Sequence, residues 1–211
     1  MFTWDLSALR PDHAAVVKGA LKACDFPFGR IRRLTGKKVP VTVGDTSRFS
    51  QAAASGHDHH DDQHSHGVHV LADHRNAALG LYWLPTRAYP AGRVELSDRI
   101  MGNVALAQEV FLAEAAHAVD YGSLTDRDRE RIFAIVHGGS SDPHGTHGWW
   151  EERGGQGYWD DWVGEVFMSL FMRAFAPSLP RPMEARQPWA HKVTDEMAAQ
   201  TRRYLRRPVR L

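Results

Sequence analysis

Three observations in the sequence predict an α+β fold in a single domain (residues 1–211). One amphipathic helical stretch is followed by short strand-like runs and then by helical patterns only, an order that segregates helix from sheet. The 211 residues are 43% hydrophobic and 24% charged, enough to bury one large core without staples. There is one cysteine, so a disulfide framework and a thiolate-rich zinc site are both excluded.

The elements follow in order. Residues 11–24 (PDHAAVVKGALKAC) predict a helix, with Pro11 suited to its first turn. Residues 39–43 (VPVTV) predict a strand, and Pro40 favours an edge position. Residues 46–73 are polar and small. Their histidine-rich core, GHDHHDDQHSHGVH, lacks apolar periodicity and predicts a mobile loop over residues 56–74. LGLYW (79–83) and RVEL (93–96) predict two further strands about a Pro/Gly turn. Residues 104–121 form the clearest helical pattern, with Gly122 expected to end it. Thr125 is expected to cap a helix over DRDRERIFAIVH, stopped at Gly138. A glycine-rich loop spans 138–157. Helices are expected over 159–175 and 194–206, the last with a basic end that suits its dipole.

Charge excludes some function classes. The 26 basic and 25 acidic residues leave +1, which makes no overall case for nucleic acid or an anionic membrane. No apolar run approaches the length of a membrane span. The N-terminus has no basic start before an apolar core, so no secretory signal is read and the cytoplasm of the producing cell is expected. There is no phosphate-binding glycine loop, dinucleotide fingerprint or nucleophile elbow.

Two helices carry the functional reading. Residues 104–121 (VALAQEVFLAEAAHAVDY) are largely apolar, yet Glu109, Glu114, His117 and Asp120 group along one side. Ala113 falls inside this stripe, one turn before His117. In the helix over 159–175, Glu165 interrupts an almost continuous apolar run. A carboxylate there is costly unless paired or metal-bound. Two such helices suggest one shared polar site.

These residues carry a resemblance. A-E-A-A-H (113–117) resembles the zincin helix H-E-x-x-H, and W-V-G-E-V-F (162–167) resembles the helix that supplies a glutamate ligand in gluzincin metallopeptidases. The preceding strands resemble the small zincin sheet. The resemblance implies a zincin-like domain with His117 and Glu165 as zinc ligands and Glu114 as general base. The first histidine of the motif is replaced by Ala113. Three outcomes stay open: a dead site with a structural stripe, a variant zinc site completed by His137, His144 or His147, or Glu114 itself acting as a ligand beside His117. AEAAHAVDY followed by HGWW also resembles proteins encoded among actinobacteriophage virion genes, which implies a virion component with protein partners.

Other features have bland and functional readings. The chain holds 13 histidines, and the seven within residues 57–74 would take up divalent metal or simply be solvated. Trp149, Trp150, Trp159 and Trp162 would pack a loop or line a groove. Tyr158 and Tyr121 would stabilise an oxyanion in an active zincin or be ordinary buried tyrosines. Cys24 reads as core. The five arginines in residues 202–211 read as a solvated helix end. The resulting expectation is a degenerate metallopeptidase-fold protein in a binding or structural role. The competing expectation is an active zinc peptidase, cutting peptides with His117, Glu165 and a loop histidine as ligands.

Overall fold

The computed structural model describes residues 3–30, 36–46, 68–72, 78–136, 164–184 and 193–206. It has an α+β fold. The sheet comprises β1 (Thr3–Asp5), β2 (Lys38–Gly44), β3 (Val68–Ala72), β4 (Ala78–Trp83) and β5 (Arg93–Ser97), in the order β1-β2-β5-β4-β3. β1, β2 and β5 run parallel, whereas β5, β4 and β3 are antiparallel neighbours. The helices are α1 (Pro11–Ala23), α2 (Val104–Ser123), α3 (Asp126–Val136), α4 (Gly164–Phe175) and α5 (Asp195–Arg206).

Two strand expectations are corrected. β2 is an interior strand despite Pro40, because its two ladders occupy different halves. Pro40 is the last partner of β1, opposite Asp5, and Val41 is the first partner of β5, opposite Val94. The expected loop over 56–74 contains β3, in which His69 pairs with Tyr82 and Val70 with Leu81. Residues 56–67 of that tract, and 73–74, lie outside the described residues.

α2 packs against β4 and β5, with α1 and α4 also against it and α5 outside α4. Its hydrophobic composition follows from this central place, since almost every turn meets another element. Asn103 caps its start by accepting from the Leu106 N–H at 3.2 Å. The helix runs through Gly122 to Ser123, one turn position beyond the expected stop. Gly122 is buried within it and is not among the glycines with positive φ. The Leu124 N–H donates back to Asp120 O, closing the last turn.

α1 meets α2 closely at Gly19. A Cβ there would lie 2.4 Å from Gln108 Nε2, which donates to Val16 O at 3.3 Å. Phe26 and Phe28, just after α1, pack their rings on Phe171 of α4, and Phe26 also meets Phe175. Thr125 caps α3 as expected, its Oγ1 accepting from the Asp128 N–H while Asp128 Oδ2 accepts from Thr125. Thr194 likewise accepts from the Met197 N–H at the start of α5. Arg202 and Arg206 of α5 pair with Asp25, so these tail arginines tie α5 to the end of α1. No helix among the described residues is long and apolar enough to cross a membrane.

Candidate site on the central helix

The stripe expected on α2 is buried throughout. Glu109, Ala113, Glu114, His117 and Asp120 are each at most 2% exposed. The structure does not bring them all to one site.

Glu109 is a staple. Its two carboxylate oxygens accept from the backbone N–H groups of Met183 (2.7 Å) and Glu184 (2.6 Å). Those donors belong to the turn after α4 and would otherwise be buried without acceptors. Burial pushes the Glu109 carboxyl above its ordinary range, and the two N–H groups pull it back. Glu184 is itself held by Arg173 at 2.6 Å and Arg181 at 2.5 Å.

Asp120 faces α3. Arg129 Nε donates to Asp120 Oδ1 at 2.8 Å, and Arg129 Nη2 reaches Asp120 O at 3.3 Å. The same guanidinium lies 5.6 Å from the centre of the Tyr121 ring, which stacks on Tyr82 of β4. Tyr121 is therefore a packing residue. Burial, with the Asp120 carboxylate nearby, holds the Tyr82 phenol above its usual range, and its hydroxyl donates to Ala91 O at 3.2 Å.

Glu114 faces the sheet. Its side chain lies over Gly80 of β4, where an added Cβ would be 2.7 Å from Glu114 Oε1 and 2.5 Å from Val110 Cγ1. Gly80 thus lets the helix and its carboxylate approach the strand closely. His117, one turn on, is buried on the same helix.

Ala113 faces α4. It lies with Val110, Met168, Met172 and Met183 around a narrow gap with no room for a water molecule, rimmed by Glu109 and Glu184. Three thioethers occupy the space beside the position where the zincin motif has its first histidine. Glu165 lies in the first turn of α4, one turn before Met168 and Ser169. Ser169 is fully buried, and its Oγ has no hydrogen-bond partner among the described residues.

A zinc site needs three protein ligands with nitrogen, sulfur or oxygen donors. The described side chains do not supply that set: among them no three His, Cys, Asp or Glu side chains converge as a metal-binding group. His137, His144, His147 and Tyr158 lie outside the described residues, as do Trp149, Trp150, Trp159 and Trp162. Cys24 is buried, and burial pushes its thiol up to about 11, so it packs as core. Sequence reasoning did not find Gly80, Arg129 or Glu184. Their partners on α2 lie 9 to 75 positions away or across a strand, and helical periodicity carries no signal of such pairings.

Comparison with models of known families, with curated proteins and with solved structures finds no match for this chain.

Proposed function

We propose that this chain is a degenerate metallopeptidase-like protein whose A-E-x-x-H helix serves a binding or structural role, with virion assembly as its setting. The observation that supports this reading is the packing at Ala113. A missing ligand that left a water-filled polar hollow would favour a site completed from elsewhere. Here the neighbouring space is filled by Met168, Met172 and Met183, flexible apolar side chains suited to irregular gaps. Glu109 and Asp120 are meanwhile committed to the turn at 183–184 and to Arg129.

The test is zinc content by elemental analysis after dialysis, on untagged full-length chain and on a variant lacking residues 56–67. The reading expects no tightly held zinc in the shortened variant and no peptide cleavage by either protein. About one zinc per chain, retained without the tract and lost in His117→Ala, would overturn it. That result would favour the rearranged peptidase, with His117, Glu165 and His144 or His147 as ligands and Glu114 as base, and would call for a peptide-cleavage screen. Mass spectrometry of particles purified from a producing host tests the virion setting, which fails if the chain is absent from them.

A further inference from the structure

A second polar feature lies away from the α2 stripe. A cleft of about 730 Å³ opens where the end of α1, the end of α4 and the start of α5 meet. That volume is within the range of small-molecule sites. Its floor is apolar, including Ala174, Phe175 and Pro177, and Arg173, Arg181 and Arg202 line it.

The charge around the cleft is unevenly shared. On one flank Arg173 and Arg181 both bind the single carboxylate of Glu184. On the other, Arg202 and Arg206 both bind Asp25. Glu109, behind the first flank, directs its carboxylate to backbone N–H groups. Among the described residues lining the cleft Asp195 is the remaining acid, fully exposed and 3.9 Å from Arg173 Nη1, beyond hydrogen-bond range.

Arg181 supplies a separate observation. Its Nε is on Glu184, and its Nη1 is buried with no hydrogen-bond acceptor among the described residues. A buried guanidinium donor without an acceptor is uncommon and marks a place where an anion or water belongs. Arginine presents a planar fork that suits carboxylate and phosphate. Arg181 also lines the cleft, and its side chain is 25% exposed.

We propose that this cleft binds a small polyvalent oxyanion, a carboxylate or phosphate compound, gripped between Arg181 on one flank and Arg202 on the other. The apolar floor takes the ligand's carbon skeleton, so a tricarboxylate fits better than bare phosphate. Asp25, already held by Arg202, and Asp195 are the cleft's own competitors for the arginines.

Isothermal titration of the full chain with citrate and with inorganic phosphate tests this. Saturable citrate binding is expected, tighter than that of phosphate. Arg181→Gln should weaken it about tenfold, the loss expected for a charged hydrogen bond. Arg127→Gln, which removes the same charge from an exposed position on α3, should leave it unchanged. Asp195→Asn should tighten it severalfold. No saturable binding, or equal losses in Arg181→Gln and Arg127→Gln, would overturn the proposal. If circular dichroism shows that Arg181→Gln does not fold, Ala199→Glu decides. It places a carboxylate in the cleft from an exposed position, and retained citrate affinity in that variant would overturn the site.

Discussion

Gly80→Ala probes the contact between the candidate site and the sheet. The new Cβ would stand 2.5 Å from Val110 Cγ1, 2.7 Å from Glu114 Oε1 and 3.0 Å from Glu114 Cγ. Carbon atoms in proteins sit at about 3.5–4.0 Å, so the nearest contact is short by roughly 1 Å. Neither neighbour has an easy escape: Val110 is a stiff β-branched residue and both it and Glu114 are fully buried. Overpacking of this kind costs about 3 kcal/mol at the upper end of its usual range. Loss of glycine's freedom in the unfolded chain returns about 0.5–1 kcal/mol. The net loss is about 2 kcal/mol, a fall in Tm of about 4–8 °C for a chain of this size. Thermal and urea unfolding of the wild type, Gly80→Ala, Val110→Ala and the double variant measure it. The two substitutions should couple by about 1 kcal/mol, because removing the valine methyl groups makes room for the new one. Unchanged stability in Gly80→Ala, or strict additivity in the cycle, would refute the close approach of α2 to β4 and the placement of Glu114 over it.

Three further predictions concern the other members of the stripe. Ala113→His should lower stability by about 2–3 kcal/mol and gain no stoichiometric zinc, since the imidazole needs space held by Met168 and Met172. Combined with Met172→Ala it should bind about one zinc per chain, and failure of the double variant in elemental analysis would count against a zincin-like arrangement. Arg129→Ala should cost about 2–3 kcal/mol in urea unfolding, because Asp120 is left buried while the partly exposed arginine already shares its charge with solvent. Glu109 governs a pH effect: its pKa is raised above 4.5 chiefly by burial, so the folded state holds that proton more tightly than the unfolded chain. Its contribution therefore falls as pH rises from about 4.5 through the folded value and is level beyond. Glu109→Gln should lose this slope, so the stability of the wild type relative to the variant should decline as pH rises through that window. A difference independent of pH would contradict the assignment.

The sequence carried the helices best. α2, α3 and α5 each combine a capping residue with an apolar period, and α1 has Pro11 in its first turn before one. The strands were legible where alternation was undiluted, as in LGLYW and RVEL. β1 was missed because three residues are too short to show a period, and its support is a parallel ladder with β2, 35 positions on. β3 was hidden for another reason. Only VHV alternates before Val70-Leu71-Ala72 breaks the pattern, and the histidine and aspartate composition before it dominates any window long enough to judge. At the site, burial of the stripe was legible, since an acidic residue on an otherwise apolar helix has few places to go. The identity of each partner was not, because Met183, Glu184, Arg129 and Gly80 reach α2 through tertiary packing.

Angular grouping on a helical wheel also misleads about distance. Glu109 and Asp120 differ by only about 20° in direction, which makes them neighbours in projection. Eleven residues at about 1.5 Å each separate them by roughly 16 Å along the axis, three turns apart. Different elements cross α2 at those two levels, so one carboxylate receives the backbone of the turn after α4 and the other receives Arg129 of α3. The stripe therefore divides into two structural ends and a middle. The middle is Ala113, Glu114 and His117, within little more than one turn, and there the directions do diverge: Ala113 faces the methionines and Glu114 faces Gly80. A metal centre would need donors on the Ala113 side to converge with His117. The packing puts the thioethers of Met168, Met172 and Met183 on that side, with Glu109 and Glu184 at the rim already committed to backbone N–H groups and to Arg173 and Arg181. This is why the zinc content of the Ala113→His/Met172→Ala pair separates a lost site from one that was never arranged.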